Sequence, residues 1–158
     1  GRHGLWRGGA GSDPWNLYAE GLETPMIWNW PGTVPVEGVR SELAGAYDLF
    51  PSLAEAVGAE PLKGRALWGR SYFPLMVNRP LPRERAWRNL VFAAHGDVEM
   101  ARDARFKLVL RNRGEGPNEF YDVRSDAREL SNQYNNDRFV TVRNRLADAI
   151  RQWREQYS

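Results

Sequence analysis

Apolar residues in the second half of the chain first occur in short runs separated by turn residues, a pattern typical of a β-sheet. Four brief runs, rich in Val, Leu, Phe and Ala and bounded by turn residues, predict strands at Leu90–His95, Val98–Asp103, Phe106–Arg111 and Glu119–Val123. Residues 103–105 have the length and composition of a hairpin turn, and residues 112–118 form a loop containing Gly and Asn. Short connections of this kind predict an antiparallel sheet.

The pattern then changes to one apolar residue every three or four positions, which is the repeat of an α-helix. The residues on this stripe are Phe139, Val142, Leu146, Ile150, Trp153 and Tyr157. Asn136 or Asp137 precedes the stripe and is a suitable N-cap. The pattern predicts an amphipathic helix of about twenty residues. Together with the strands, this helix predicts a compact subdomain over residues 90–158.

The first half has a different organisation. Residues 1–24 are rich in Gly and polar residues and predict a loop, whereas the almost wholly apolar Pro25–Trp30 predicts a buried strand. A helix is predicted from Asp48, as the N-cap, to Gly58, as the residue after its end. The apolar face of this helix comprises Leu49, Phe50, Leu53 and Val57. Residues 59–89 lack periodicity and predict a long surface loop.

Composition narrows the classes of function. The 158 residues are 42% hydrophobic and 27% charged, which is ordinary for a globular protein. The 22 basic residues are almost all Arg, and they alternate with 20 acidic residues, so the sequence does not predict a nucleic-acid-binding surface. The absence of Cys excludes disulfides and thiolate metal sites. No apolar run approaches the roughly 18 residues of a membrane span.

Short motifs follow one another along the whole chain. The opening segment contains Gly1-Arg-His-Gly-Leu-Trp6, Tyr18-Ala-Glu-Gly21, Thr24-Pro-Met-Ile27 and Trp30-Pro-Gly32. Later motifs are Asp48-Leu-Phe-Pro-Ser-Leu53, Gly69-Arg-Ser71, Arg102-Asp-Ala-Arg-Phe-Lys-Leu108 and Glu119-Phe-Tyr-Asp122. In this order they resemble the C-terminal portion of the formylglycine-dependent sulfatases, the arylsulfatase family of the alkaline-phosphatase-like superfamily.

The resemblance implies an alkaline-phosphatase-like α/β fold, of which this chain is the C-terminal part. Residues 1–89 would end the large mixed sheet and its domain, and residues 90–158 would form the small antiparallel sheet with one long helix. It also implies a sulfuric ester hydrolase acting on a glycan or aryl sulfate, in the periplasm or outside the cell.

Two parts of such an enzyme have no counterpart in this sequence. The resemblance implies a formylglycine made from Cys, or rarely from Ser, in a C-x-P-S-R or S-x-P-S-R motif, and carboxylate ligands for calcium. We find neither motif, so we expect both groups in an N-terminal half upstream of Gly1 and predict no metal ligand in this chain. On this interpretation the chain alone is an inactive fragment.

Three candidate site residues lie in the Gly-rich opening. The resemblance makes His3 the candidate catalytic residue, because an imidazole titrates near neutrality and can protonate a leaving group. Arg7 is the candidate sulfate ligand, since a guanidinium binds an oxyanion through parallel hydrogen bonds and the lysine position of the family holds Gly8. Trp6 is a candidate pocket wall. The structural alternatives are a loop-stabilising histidine, a solvated arginine and a packed tryptophan.

Two further candidates, His95 and Asp97, flank Gly96 where the first predicted strand ends. The corresponding loop of the family reaches over the pocket, which implies a substrate-binding role. Asp122 and Asp126 invite a metal site, but their motif is typical of a structural turn.

Three other functions remain open from the sequence. One is a phosphodiesterase or phosphonate hydrolase of the same superfamily, and the second is a non-enzymatic module that binds polyanions. The third is a truncated product without activity. The alternation of acidic residues with Arg argues against the polyanion-binding module.

Overall fold

The structure is a computed structural model that describes residues 17–36, 38–59, 67–81, 83, 86–112 and 116–157. The described residues form two compact units. One combines residues 17–25 with residues 90–157, and the other comprises residues 26–89. The assignment of residues 1–89 to a large α/β domain stays a prediction.

The first unit is built on a four-stranded antiparallel sheet with strand order β1-β2-β3-β4. The strands are β1 (Val91–His95), β2 (Val98–Arg102), β3 (Phe106–Arg111) and β4 (Glu119–Asp122). Asp103 Oδ1 accepts hydrogen bonds from the backbone amides of Arg105 and Phe106, at 2.7 and 2.6 Å, and so closes the hairpin between β2 and β3. All four predicted strands and the predicted hairpin turn are confirmed.

One face of the sheet is covered by the long helix α4 (Val140–Tyr157). Asn136 accepts a hydrogen bond from the Arg138 amide, as predicted for the N-cap residue, and a single 3-10 turn at Asp137–Phe139 leads into the helix. Leu146 and Ile150 of α4 are fully buried, and they pack on the apolar residues Ala101, Leu108 and Phe120. The predicted apolar stripe is therefore the core-facing side of the helix.

The second unit contains helix α2 (Leu49–Ala56), at the predicted position. Gly58 has φ 68° and ends it in the left-handed conformation that favours glycine. Asp48 precedes the helix as predicted, but its side chain does not cap it. The carboxylate accepts instead from the amides of Gly45 and Arg70, both at 2.8 Å, and pairs with Arg88 at 2.7 Å.

Two of the sequence motifs, residues 48–53 and 69–71, lie against each other in this unit. Ser52 Oγ, on α2, accepts a hydrogen bond from the Tyr72 amide at 2.9 Å, next to the bond between Asp48 and Arg70. A Cβ atom at Gly69 would lie 1.8 Å from the backbone oxygen of Tyr47. Only glycine therefore allows this close approach of two backbones.

Three predictions for the first 89 residues need correction. Pro25–Trp30 is not a strand, and most of it is exposed, with Ile27 at 89%. A strand exists only where a second strand completes its hydrogen-bond ladder, and none of the described residues pairs with this segment. The predicted loops each contain one helical turn, α1 (Ala19–Leu22) and α3 (Phe73–Met76).

Candidate functional site

The five candidate residues fall into two groups. His3, Trp6 and Arg7 lie outside the described residues, so their roles stay predictions. His95 and Asp97 are exposed on the turn between β1 and β2, on either side of Gly96, whose φ of 57° permits the tight reversal. The backbone oxygen of Asp97 accepts from both the amide and the side chain of Asn112, at 3.1 Å each, which steadies this turn.

The sheet face opposite α4 carries His95. His95 is opposite Val98 in the register, and Val98 is opposite Arg111. Residues that oppose each other across strands project from the same face. Leu17, only 4% exposed, belongs to the buried apolar cluster that contains Val98, Met100 and Val109. The structure therefore brings the segment that follows the Gly-rich opening to the sheet face that bears His95.

This segment, residues 17–23, is attached to the sheet at several further points. The Ala19 amide donates a hydrogen bond to Glu129 Oε2 at 3.1 Å. The Tyr18 ring lies 6.5 Å from the Tyr121 ring, and Glu23 forms an ion pair with Arg102. Apolar burial, a charge-assisted hydrogen bond and an ion pair together hold the segment on the β-sheet.

Beneath the segment lies a buried polar network. Lys107 Nζ donates to Glu129 Oε1 at 2.7 Å, and both side chains are 1% exposed. Burial lowers the pKa of the Lys107 ammonium, and the charge and hydrogen bond of Glu129 oppose that shift. Beside this pair, Glu119 accepts from Arg111 and from the Tyr121 hydroxyl, at 2.8 Å each. The network satisfies charges that would otherwise be costly to bury.

Lys107 lies within one of the sequence motifs, but the motif does not reveal its role. One signal was available, because strict alternation in β3 places Lys107, Val109 and Arg111 on one face and the apolar remainder on the other. The ammonium of a lysine on the other face of such a strand must contact either solvent or a buried partner. The partner, Glu129, lies 22 residues away in a turn, and nothing local in the sequence identifies it.

Asp122 and Asp126 each accept hydrogen bonds that hold local structure. Arg105 donates to Asp122 Oδ2 from Nε and Nη2, at 3.0 and 2.8 Å, and thereby lowers the pKa of the Asp122 carboxyl. Both carboxylate oxygens of Asp126 accept backbone amides, from Leu130 and Ser131. Each of the four carboxylate oxygens therefore accepts at least one hydrogen bond from the protein. Within the described ranges, no group of three or more His, Cys, Asp or Glu side chains lies close enough to bind a metal.

The second unit carries an open groove of about 790 Å³. Its walls are largely apolar and include the rings of Trp28, Trp30, Tyr72 and Trp87, with the charged Arg40 beside them. Such a surface suits an apolar or aromatic group rather than a small anion.

In the part of the chain that the structure describes, no helix is both long and apolar enough to cross a membrane.

The chain is similar to known proteins along nearly its whole length. Residues 12–156 match the family model described as N-sulphoglucosamine sulphohydrolase, C-terminal. Human arylsulfatase D is 34% identical over 76 residues, which are 48% of this chain and 12% of that protein. An ulvan-active sulfatase of Formosa agariphila is 31% identical over 123 residues, covering 72% of this chain and 18% of the relative. The chain thus spans less than a fifth of the length of these relatives.

Two solved structures share the fold. The phosphonate monoester hydrolase of Agrobacterium radiobacter has a TM-score of 0.59 at 25% identity, over 74% of this chain and 26% of that one. A protein solved with its substrate D-glucosamine-2-N,6-O-disulfate also has a TM-score of 0.59, at 21% identity, over 70% of this chain and 24% of that one. These likenesses confirm the predicted fold class.

Proposed function

Because this chain belongs to the family N-sulphoglucosamine sulphohydrolase, C-terminal, we propose that it supplies the substrate-side segment and C-terminal subdomain of a sulfuric ester hydrolase. The observation that carries the proposal is the family match over residues 12–156, supported by relatives that are themselves named sulfatases. The substrate would be a sulfate ester of a glycan or an aryl alcohol. On the family resemblance we also propose a periplasmic or extracellular location.

His3 and Arg7 would act on the reacting group. The Arg7 guanidinium would hold sulfate oxygens through parallel hydrogen bonds, and the His3 imidazole would donate a proton to the departing alcohol oxygen. Trp6 would form a wall of the same pocket. The attachment of residues 17–23 to the sheet supports this assignment, because the chain that continues from these candidates then has a rigid base.

His95 and Asp97 would contact the part of the substrate that does not react. Both are exposed on one turn, and His95 lies on the sheet face that residues 17–23 cover. An imidazole and a carboxylate at such a place suit the hydroxyl groups of a sugar. We therefore assign them to substrate choice rather than to bond breaking.

Formylglycine and calcium, which the family implies, have no fitting site among the described residues of this chain. The sequence contains no Cys, and the oxygens of Asp122 and Asp126 are engaged by protein donors. When bound elsewhere in the complete enzyme, these groups would supply the nucleophile and the charge that holds the sulfate. We accordingly propose that the chain alone does not turn over sulfate esters.

Two measurements test this function. The isolated chain, with calcium, should not hydrolyse 4-nitrophenyl sulfate above the level of a His3→Ala control. In the complete gene product that carries this chain, Arg7→Ala should lower kcat about 10²–10³-fold, the usual effect of removing a charge-stabilising donor. Arg2→Ala is the matched control and should change kcat less than about twofold. Equal effects of the two substitutions would refute the role of Arg7.

A phosphonate monoester hydrolase is the second candidate, favoured by the structural likeness at 25% identity. The two functions differ in the reacting group, so the complete gene product should be assayed with matched 4-nitrophenyl esters of sulfate and phenylphosphonate. A kcat/KM at least about tenfold higher for the phosphonate ester would replace the sulfatase proposal.

A further inference from the structure

We propose that Glu129, held in place by Lys107, is a positioning residue for segment 17–23, which follows the Gly-rich opening in the sequence. The inference deepens the proposed function and rests on it only for the effect on activity. The attachment of the segment itself can be measured in the chain alone.

The Glu129 carboxylate joins two distant parts of the chain. Its Oε1 accepts from Lys107 on β3 at 2.7 Å, and its Oε2 accepts from the Ala19 amide, 110 residues away, at 3.1 Å. With 1% of each charged side chain exposed, the bond between Lys107 and Glu129 is shielded from water, and the bond from the Ala19 amide is partly buried. The carboxylate therefore determines where the start of α1 lies on the sheet.

The turn that carries Glu129 is shaped for this role. Glu129 has φ 54°, a left-handed conformation that is unfavourable for a residue with a side chain. The Asp126 carboxylate holds the turn by accepting the amides of Leu130 and Ser131, and the Asp126 backbone oxygen accepts the Glu129 amide at 3.0 Å. Backbone strain of this kind persists where the surroundings require one orientation of the side chain.

Stability alone does not account for the pair. A buried ion pair usually contributes no more than apolar residues of similar volume would. The burial of Lys107, which lowers the pKa of its ammonium, is a cost that an apolar residue would avoid. What an apolar pair cannot do is accept the Ala19 amide. We infer that this directional bond is the reason for placing charges here.

The other attachments of the segment are less directional. Leu17 lies in an apolar cluster, which tolerates small shifts, and Glu23 pairs with Arg102 near the surface. The bond from Ala19 lies between these two attachments. Its loss would let the start of the segment slide on the sheet.

The test uses a double substitution that removes the charges without leaving one buried alone. Lys107→Met with Glu129→Leu keeps the volume of the pair and removes the acceptor of the Ala19 amide. The matched control is Arg154→Met with Glu99→Leu, which removes an ion pair between α4 and β2. Glu129→Gln, made together with Lys107→Met so that no ammonium is left buried alone, keeps one acceptor oxygen and is the conservative variant.

The first readout is amide hydrogen exchange in this chain. In the Lys107→Met and Glu129→Leu variant, exchange at Ala19 and across residues 20–22 should quicken at least about tenfold, while the centre of α4 stays within about twofold. The conservative variant should show a smaller change at Ala19. Unchanged exchange at Ala19, or the same increase in the control variant, would overturn the inference.

The second readout is kinetics in the complete gene product. With 4-nitrophenyl sulfate, the Lys107→Met and Glu129→Leu variant should lower kcat about 10²-fold, the effect of a misplacement of about 1 Å, and the conservative variant should recover part of it. An unchanged kcat with faster exchange at Ala19 would overturn the positioning role. If the parent protein hydrolyses no sulfate ester, the proposed function fails, whereas hydrogen exchange still decides whether Glu129 positions the segment.

Discussion

Asp48 provides the sharpest test of how the second unit is held together. Its carboxylate is fully buried and accepts the amides of Gly45 and Arg70 while pairing with Arg88 at 2.7 Å. Asp48→Ala would remove all three interactions at once. We expect this substitution to lower the free energy of unfolding of the unit more than any change on its surface.

The magnitude follows from what the substitution leaves behind. Removing one partner of a buried ion pair costs about 3–5 kcal/mol, because the other charge remains uncompensated. Arg88 is 13% exposed and keeps contacts with the rings of Tyr47 and Trp87, which relieve part of that cost. We therefore expect a loss of about 3 kcal/mol, at the lower end of the range. Arg88→Met should cost less, about 1–2 kcal/mol, because two amides still stabilise the Asp48 carboxylate.

Hydrogen exchange of the α2 amides, followed as urea is increased, would report the free energy of opening of this unit. The matched control is Glu55→Ala, which breaks the exposed ion pair with Arg79 and should cost less than about 1 kcal/mol. A loss below about 1 kcal/mol for Asp48→Ala, or a loss equal to that of the control, would refute the reasoning.

Three further predictions concern packing, backbone contact and charge. Ile150→Ala should cost about 4 kcal/mol and Trp153→Ala about 3, because only the former is fully buried; urea unfolding gives the order, and the reverse order would contradict it. Gly69→Ala should quicken amide exchange in the motif that it opens, since its Cβ would meet a backbone oxygen at 1.8 Å; unaltered exchange would show that the clash is avoided. Arg105 lowers the pKa of the Asp122 carboxyl. The ion pair between them therefore contributes its full stability above about pH 4, and this stability is lost as the pH falls through the folded-state pKa of Asp122. The stability difference from Asp122→Asn, measured by thermal unfolding from pH 6 to 2, should shrink on acidification; a constant difference would argue against the ion pair.

The local spacing of apolar residues was sufficient to predict the sheet and the long helix. Alternation along β3 and the spacing of Leu146 and Ile150 each describe one element and the face that it buries. Gly58 and Asn136 were likewise predictable, because a helix end is made by a few neighbouring residues. In each case the interactions that decide the structure lie within about one helical turn or one hairpin.

Other features depended on partners that the sequence does not identify. Pro25–Trp30 has the composition of a buried strand, but a strand forms only against another strand, and the described residues offer none. The side chain of Asp48 is at the right position to cap α2. It accepts hydrogen bonds instead from the amides of Gly45 and Arg70, and it pairs with Arg88, 40 residues away. Propensity failed at Pro25–Trp30 because a partner strand is missing among the described residues, and at Asp48 because tertiary contacts engage its side chain.

In the candidate site, too, some features depend on local sequence and others on distant partners. The motifs of the sequence were enough to identify the family and to select His3, Arg7 and His95 as candidates, since chemistry depends on residue type and order. Only the tertiary structure joins Glu129 to Lys107 and to the Ala19 amide, across 22 and 110 residues. Such bonds depend on how strands and turns are packed, because a buried charge takes whatever partner the fold brings within about 3 Å.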